Sequence, residues 1–408
     1  MKQAWIKRCL ADVTTKIGSG ATPMGGEAAY KKEGIALFRS LNVYDDGFRE
    51  SGLARIDDNQ AARLSNVVVE PNDILLNITG ASVARCCVAP ANLLPARVNQ
   101  HVSIIRPLRG ILDSKFLHYL LVAPDCKMAL LSTGEEGGST RQAITKAQLQ
   151  NFVIEFPESL SEQQRIVGIL DEAFEGIATA KAAAERNLQN ARALFESHLQ
   201  SVFSQRGKEW EGKRLGDIAE FKNGLNFTRQ SRGQNLRMVG VGDFQDNSVV
   251  PTEALQSVTI DGKLSDDYLI RHNDILTVRS NGSKDLVGRC MLVPEIDGAI
   301  SYSGFIIRIR FDIREISPRF LLRFLKSSET RARLTRDGGG ANISNINQAK
   351  LSELPILLPP FVQQEEIANR LDALSIGTQR LERIYEQKLT ELEALKKSLL
   401  HQAFTGQL

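Results

Sequence analysis

The segment Asn72-Asp73-Ile74-Leu75 occurs again as Asn273-Asp274-Ile275-Leu276, at an offset of 201 residues in a chain of 408. Further short matches flank it in the same order in both halves, at offsets between 201 and 205. A single match of this length arises by chance, whereas the common order does not, so the chain is an internal duplication. The flanking matches include Leu10–Val13 with Leu215–Ile218, Arg85-Cys86 with Arg289-Cys290, Ile104–Arg106 with Ile306–Arg308, Gln163 with Gln364, and Phe203 with Phe404.

Each half begins with a β-rich part and ends with a long helical part. Short apolar runs such as Val102–Ile105 and Ile306–Ile309 predict strands, and Phe116–Leu121 and Phe320–Leu325 predict helices. This mixture favours a compact α+β domain over alternating βαβ units. The predicted division is a globular domain at 1–157, a helix at 158–205, a second globular domain at 206–359 and a second helix at 360–408.

The two helical parts are predicted to pair as a coiled coil. The central one is rich in alanine, which allows a neighbouring helix to approach closely, and the C-terminal one repeats every three and four residues. The predicted fold is therefore two α/β globular domains in a pseudo-twofold tandem repeat, each followed by a long helix, with the helices antiparallel and the domains at opposite ends of this stalk. A parallel zipper between two chains is the alternative. The predicted C-terminal seam is Leu371, Leu374, Thr378, Leu381, Tyr385, Lys388, Leu392, Leu395 and Leu399.

Composition limits the class of protein. The 51 basic and 48 acidic residues give a net charge of +3, which excludes a uniformly basic nucleic-acid coat but leaves room for local basic clusters. Residues 1–204 carry 22 basic and 22 acidic side chains, so the surplus lies in the second half. Five cysteines without C-x-x-C spacing favour a reduced cytoplasmic protein without structural zinc. No stretch has the length and apolarity of a membrane span.

Signatures of catalysis are missing from the chain. It has no phosphate-binding P-loop, no assembled nuclease carboxylates and no Ser/His/Asp arrangement. Leu358-Pro359-Pro360-Phe361 looks like the Asn/Asp-Pro-Pro-aromatic signature of amino-methyltransferases, but Leu358 cannot accept the hydrogen bond which that signature needs. The prolines predict an elbow between the last strand and the C-terminal helix instead. The sequence therefore predicts a protein that is not an enzyme, with no catalytic and no metal-ligating residues.

Five segments, in this order, resemble the DNA-specificity subunit of type I restriction–modification systems, and the likeness covers essentially the whole chain. They are Gly18–Pro23 with Ile35–Val43, Pro71–Leu75, Gly138–Ile144, Pro359–Ile367 with Leu371 and Asp372, and the tail Ala403–Leu408.

The resemblance implies that each globular domain is a target-recognition domain for one half of a bipartite, asymmetric site in double-stranded DNA. It implies that the helices set the spacing and bind two modification (methyltransferase) subunits, and that two restriction subunits complete the complex. S-adenosylmethionine, ATP and Mg²⁺ are then expected on those partners and not on this chain. Two alternatives stay open: a fused modification or restriction enzyme with an unrecognised motif, and a coiled-coil scaffold without a nucleic-acid role.

Candidate DNA contacts are polar and basic residues in predicted turns, because loops reach the grooves and Arg, Asn and Gln pair with base edges. In the first domain they are Lys16, Ser19, Thr22, Arg39, Asn42, Thr79, Thr140, Arg141 and Gln142. In the second they are Lys222, Asn223, Arg229, Arg232, Arg237, Arg279, Asn281, Ser283, Lys284, Asn342, Ser344 and Asn345. Candidate partner-binding residues on the helices are Ile166, Leu170, Phe174, Leu188, Leu371, Leu374, Leu381, Leu392 and Leu395. Arg106 and Arg308 are predicted to be structural.

Overall fold

The structure, a computed structural model, describes residues 5–135, 143–204, 207, 209–228, 230–245, 247–283, 285–335 and 345–408. The chain forms two compact units: the first comprises Met1–Ala184 and Gln387–Leu408, and the second comprises Glu185–Glu386. Each unit thus combines a globular part with portions of both long helices. The predicted four-part division of the chain stays a prediction.

The first unit contains two four-stranded sheets. Its strands are β1 (Trp5–Cys9), β2 (Thr14–Ser19), β3 (Ile35–Phe38), β4 (Val43–Tyr44), β5 (Gly47–Phe48), β6 (Ala54–Ile56), β7 (Val68–Val69), β8 (Ile74–Asn77), β9 (Cys86–Val88), β10 (Ala96–Val98), β11 (Val102–Pro107) and β12 (Val153–Pro157). Its helices are α1 (Asp58–Arg63), α2 (Ser114–Val122), α3 (Pro124–Glu135), α4 (Lys146–Asn151) and the N-terminal part of α5 (Leu160–Ser204). One sheet has the antiparallel order β2-β11-β8-β9, and the other has the order β6-β3-β10-β7 with β3 and β10 parallel.

The second unit repeats this plan with one four-stranded sheet and one three-stranded sheet. Its strands are β13 (Glu211–Arg214), β14 (Ala219–Asn223), β15 (Asn235–Val239), β16 (Gln256–Thr259), β17 (Ile275–Val278), β18 (Cys290–Leu292), β19 (Ile300–Tyr302), β20 (Ile306–Phe311) and β21 (Pro355–Leu358). Its helices are α6 (Pro318–Lys326), α7 (Ser328–Thr335), α8 (Gln348–Ser352) and most of α9 (Phe361–Phe404). The antiparallel order β14-β20-β17-β18 matches β2-β11-β8-β9. The three-stranded sheet has the order β16-β15-β19, in which β15 pairs with β19 in parallel as β3 does with β10. The predicted duplication is confirmed.

A buried carboxylate–arginine pair holds the same place in both antiparallel sheets. Asp73 accepts hydrogen bonds from Arg106 at 2.7 and 2.9 Å, and Asp274 accepts them from Arg310 at 2.8 and 2.7 Å. Arg106 therefore corresponds to Arg310, and its match with Arg308 in the sequence was wrong. The strand register gives the same correspondence, since β11 and β20 pair with β8 and β17 at equivalent residues.

A glutamine in the first turns of α5 fastens that helix to the first unit. The Gln163 Oε1 accepts a hydrogen bond from the Asp113 backbone N–H at 2.8 Å. The Gln163 Nε2 donates to the carbonyl oxygens of Ile111 and Pro157, at 2.9 Å each. Because Gln163 is fully buried, these three bonds satisfy polar groups that water cannot reach.

The matching glutamine of α9 makes the same three bonds in the second unit. The Gln364 Oε1 accepts from the Ser317 backbone N–H at 2.9 Å, and Nε2 donates to the Glu315 and Pro359 carbonyls at 3.1 and 2.9 Å. Asp113 and Ser317 are the N-cap residues of α2 and α6, so each glutamine joins a long helix to a capped helix over the sheet. The predicted elbow is confirmed here, since β21 ends at Leu358 and α9 begins at Phe361.

The two long helices pack together in antiparallel fashion, as predicted. In the first unit, Lys181 donates to Glu393 at 2.7 Å, and Arg165 donates to the Leu408 carbonyl at 3.1 Å. Moving forward along α5 therefore means moving backward along α9. None of the helices in the described ranges is long and apolar enough to cross a membrane.

The seam of α9 differs from the predicted one by one residue at every second position. Leu371, Thr378, Tyr385, Leu392 and Leu399 are buried or half-buried, as predicted. Between them the least exposed residues are not the predicted Leu374, Leu381, Lys388 and Leu395, but Ser375, Glu382, Leu389 and Lys396. Small side chains on α5, including the buried Ala184 and Ala191, leave room for polar residues of α9 such as Glu382 and Lys396 to pack their aliphatic stems.

The cysteines are free thiols, and adjacent Cys86 and Cys87 fill opposite faces of β9. Cys86 packs into the core shared with α2, and Cys87 into the core of the sheet that contains β3. Burial raises the pKa of the Cys87 thiol to about 12 and raises the pKa of Cys86 as well, so both stay protonated at neutral pH. The interpretation of this pair as strand filling is confirmed.

Candidate nucleic-acid interface

In the antiparallel sheet of the first unit, the strand ends on one side lead into loops, and the joint made by Gln163 lies at the opposite strand ends. Each of these two rows of strand ends is called an edge below. At the edge with the loops, β2 ends at Ser19, β8 ends at Asn77 and β11 begins at Val102, and the ladders bring the three ends together. We call it the first loop edge (residues 18–20, 77–80, 99–102 and 143). The opposite edge, with Asp73, Arg106 and the Gln163 joint, is the first helix edge.

The second unit has a matching loop edge (residues 223–225, 278–283, 303–306 and 345). There β14 ends at Asn223, β17 ends at Val278 and β20 begins at Ile306. Backbone bridges of Thr79 with Ala143 and of Ser280 with Asn345 bring the chain after the Gly-rich loops back to both loop edges.

A hydrogen-bonded group of polar side chains lies on the first loop edge. Thr79 Oγ1 is 2.6 Å from His101 Nδ1, and Gln100 Nε2 is 2.8 Å from His101 Nε2. The His101 backbone N–H donates to Asn99 Oδ1 at 3.1 Å. Ring and amide groups fixed in this way present a pre-organised set of donors and acceptors, as direct recognition of base edges requires.

Buried polar atoms without a partner concentrate at these edges and the turn beside them. Among the described residues, seven buried side-chain atoms have no hydrogen-bond partner. Five of them lie here: Arg39 Nε, Asn77 Oδ1 and Gln100 Oε1 in the first unit, and Asn223 Oδ1 and Arg279 Nε in the second. Because buried polar groups are normally satisfied, this concentration marks the loop edges as the place where a ligand or solvent completes the network.

Four of the candidate DNA contacts of the first unit lie in or next to the antiparallel sheet. Ser19 and Thr79 lie on the loop edge, and Thr22 is exposed in the loop that follows β2. Lys16 lies inside β2 and donates to the Asn66 carbonyl at 2.6 Å. These four stay candidates.

Arg39 and Asn42 serve the fold of the turn after β3. Arg39 donates to the Gly52 carbonyl at 2.6 Å and lies over the Tyr30 ring, with 16% of its side chain exposed. Asn42 is fully buried: its Oδ1 accepts from the Arg39 N–H, and its Nδ2 donates to the carbonyls of Arg49 and Ser51. The expectation that Asn42 faces DNA was wrong, because its side chain replaces backbone partners inside the turn.

In the second unit, the loop edge collects Asn223, Arg279, Asn281, Ser283 and Asn345. The backbone carbonyl of Arg279 accepts from the Ile346 N–H at 2.7 Å, so the strand end and the returning loop are joined. These five residues form the main candidate surface of this unit.

The remaining described candidates of the second unit are not part of that group, although Lys222 directly precedes Asn223 in β14. Lys222 donates to Asp267 at 2.9 Å, and this bond lowers the pKa of the Asp267 carboxyl, so the lysine charge is compensated. Arg237 donates to the carbonyls of Thr252 and Asp297. Arg232 is exposed in the segment that precedes β15. Seven further candidates lie outside the described residues: Thr140, Arg141, Gln142, Arg229, Lys284, Asn342 and Ser344.

The helix residues predicted to bind partners are mostly used within the chain. Ile166, Leu170 and Leu371 are buried in the cores of their own units, so their assignment to a partner surface was wrong. Phe174, Leu188, Leu374 and Leu392 are half-buried. Leu381 and Leu395 are 40% and 47% exposed and stay candidates.

Sequence reasoning missed three side chains at the loop edges: Gln100, His101 and Phe305. The last lies just before β20 and is 58% exposed. The only signal for Gln100 and His101 was a polar pair just before an apolar strand, and Phe305 looked like strand core. Among the described residues, no three His, Cys, Asp or Glu side chains gather as a possible metal site.

The fold and the paired loop edges define a duplicated recognition protein rather than an enzyme with one cleft. The family described as the type I restriction modification DNA specificity domain matches the chain twice, over residues 2–186 and 207–394. The chain therefore belongs to the family of type I restriction–modification DNA specificity subunits. It is a sequence-specific DNA recognition subunit of such a system, and this subunit has no catalytic role.

Curated relatives match the chain over its full length, and solved structures share its fold. The chain is 25% identical to the StySPI specificity subunit of Salmonella potsdam and 23% identical to the EcoKI specificity subunit of Escherichia coli K12, covering 100% of this chain and 90% of each relative. The fold resembles the HsdS subunit from Thermoanaerobacter tengcongensis with a TM-score of 0.64, 18% identity, and coverage of 99% and 97%. A chain from a structure of type I complex assembly and conformational transition gives 0.77, with 18% identity and full coverage of both chains.

Proposed function

We propose that the two units recognise the two halves of a bipartite, asymmetric site in double-stranded DNA, each through its loop edge. The observation that carries this is the repetition of one antiparallel sheet with different side chains at the loop edge. His101 in the first unit corresponds to Phe305 in the second, and Asn77 to Val278. Two different surfaces on one scaffold suit two different half-sites.

The long helices set the distance between the half-sites in this proposal. They also bind two modification subunits, which carry S-adenosylmethionine and methylate adenine, and two restriction subunits with ATP and Mg²⁺ complete the complex. Exposed large apolar side chains on the helices are available to a partner, and apolar surface of this kind marks an interaction site where it is contiguous. They are Leu194, Ile376, Leu381, Ile384 and Leu395. Because its substrate is the DNA of the cell, the complex belongs in the cytoplasm.

Mapping methylated adenines tests this proposal. The chain is expressed with its modification subunits in a host without other adenine methylation, and the host DNA is sequenced by a method that detects methyladenine. We expect one motif made of two short defined segments separated by a fixed undefined spacer. Methylation at a single uninterrupted motif, or at no defined motif, would contradict the bipartite mechanism. Methyl transfer by the chain alone would contradict its role as a pure specificity subunit.

A paired insertion tests the spacing role of the helices. Because they pair antiparallel, one heptad is added to each beside the hydrogen bond of Lys181 with Glu393, after Lys181 in α5 and after Leu392 in α9. Seven residues lengthen a helix by about 10 Å, which is about three base pairs. We expect the mapped spacer to lengthen, or methylation of the original site to fall, while both half-site sequences stay the same. An unchanged spacer with full methylation would show that the helices do not set the distance.

A further inference from the structure

Phe305 stands out among the exposed apolar residues because of its position. It is 58% exposed, and it lies on the second loop edge beside the side chains that stay candidates for DNA contact. An exposed phenyl ring costs free energy in water, since about 25 cal/mol is lost for each Å² of apolar surface left uncovered. A ring at this edge therefore favours a partner that covers it.

The backbone around this ring is held on several sides. The Phe305 carbonyl accepts from the Arg279 N–H at 2.9 Å, and the Phe305 N–H donates to Ser303 Oγ at 3.4 Å. The neighbouring Gly304 N–H donates to the Leu225 carbonyl at 2.7 Å. Two other segments of the loop edge and one bond within the turn thus fix the turn, and the ring is presented from a pre-organised position.

Polar candidates for DNA contact lie on the same loop edge as the ring and indicate which ligand this edge suits. Among the described residues, the Arg279 Nε and the Asn223 Oδ1 have no hydrogen-bond partner, and Asn281 lies two residues beyond Arg279. Arginine and asparagine recognise guanine and adenine in the major groove, where thymine also presents its methyl group. The major groove, about 12 Å wide, admits protein segments more readily than the minor groove, about 6 Å wide, so a ring on a protruding turn reaches base edges there more easily.

We propose that Phe305 is a specificity-determining residue which contacts the methyl group of a thymine in the half-site recognised by the second unit. The inference rests on the proposed function, since it needs that unit to recognise one half-site. In the first unit the corresponding residue is His101, bonded to Thr79 and Gln100. The two units then differ in chemistry at one matched position, with an apolar contact in one and hydrogen bonds in the other.

Replacement of thymine by deoxyuridine, which lacks only the methyl group, tests the contact. The complex with the modification subunits is bound to duplexes of its mapped site in which each thymine of one half-site is replaced in turn. For the wild type we expect one position where deoxyuridine weakens binding about fourfold, the value of one buried methyl group. In Phe305→Ala the same replacement should have no effect, because the ring is absent.

Three further variants control this experiment. Phe305→Leu keeps an apolar group and should retain the deoxyuridine effect, whereas Phe305→Gln should lose it. Ile313→Ala removes another exposed apolar residue (50% exposed), in the turn after β20 on the helix side, and should behave as the wild type. Unchanged thermal unfolding in Phe305→Ala and Phe305→Gln would show that both variants are folded.

Several results would overturn the inference. One is an equal deoxyuridine effect in wild type and Phe305→Ala, together with an unchanged methylated motif. Another is a rise in fluorescence of 2-aminopurine placed at a base step, abolished by Phe305→Ala, since that would show a ring inserted between bases rather than against a methyl group. Failure of the proposed function looks different, because the wild-type complex would then methylate no bipartite motif at all.

Discussion

The helix edge and the loop edge of the same sheet behave differently in the two units. At the helix edges the two units use the same chemistry, with Asp73 and Arg106 matched by Asp274 and Arg310. At the loop edges the chemistry differs, with His101 matched by Phe305. The duplication has therefore kept the side that holds the helices and changed the side that we propose for DNA. Atoms engaged inside the chain constrain substitution, whereas outward-facing atoms are free to diverge.

Breaking the buried ion pair should have the largest effect and should be equal in the two units. Arg106→Met and Arg310→Met each leave a buried aspartate without its charge partner, which costs about 3–5 kcal/mol of unfolding free energy. Urea unfolding of the two variants measures it. Arg314→Met, at an exposed pair with Asp312, is the control and should unfold close to the wild type. A large effect in one unit only would break the equivalence of the helix edges.

A smaller effect is expected from two glycines of the first loop edge. A Cβ on Gly20 would lie 1.7 Å from the Val98 carbonyl oxygen, whereas one on Gly18 meets nothing within 4 Å. Gly20→Ala must push the β2 end away from the turn, which costs about 1–3 kcal/mol, and Gly18→Ala should cost less than 1 kcal/mol. Methylation mapping should show relaxed specificity in one half-site for Gly20→Ala. If both half-sites change together, the loop edges are not independent.

The smallest effect belongs to the exposed ion pair between the helices. The Lys181 ammonium donates to Glu393 and holds the pKa of that carboxyl below its usual range. A carboxyl group whose pKa is lowered by folding adds stability above its unfolded pKa, and this is lost as the pH falls through the folded pKa. Glu393→Gln should therefore lower the melting temperature slightly at neutral pH and have no effect at roughly pH 3. Glu391→Gln removes an exposed carboxylate of the same helix that accepts from Gln387 and not from a lysine, and is the control for the loss of one negative charge.

Much of the architecture follows from local sequence patterns. The duplicated Asn-Asp-Ile-Leu segments predict β8 and β17. The long stretches without proline predict α5 and α9, and the Pro359-Pro360 elbow predicts where α9 begins. The seam of α9 was misplaced because Leu374, Leu381 and Leu395 look like core residues, whereas Ser375 and Glu382 do not. Burial there is decided by the alanines on the partner helix, which periodicity within one helix does not reveal.

The candidate interface was harder to predict because it depends on which polar groups the chain uses itself. Nothing in the sequence shows that Asn42 bonds to the backbone of its own turn, or that Arg39 bonds to Gly52. Gln100 and His101 become candidates only because folding brings His101 against Thr79, which follows the end of β8. Phe305 is apolar and adjoins a strand, so burial was the natural expectation, but it lies in the turn between β19 and β20, where its ring is exposed.

The glutamine joints have a consequence for how such proteins change over time. Gln163 and Gln364 make the same three bonds, and each joins a long helix to the capped helix above its own sheet. A globular part that ends just before its glutamine carries the N–H group and the two carbonyl oxygens to which the glutamine bonds. Joined to the long helix of a related chain, it would meet an equivalent glutamine. If each unit recognises one half-site, as we propose, recombination between related genes would exchange one recognition surface whole and alter half of the target sequence in a single event, while the helices keep their attachment.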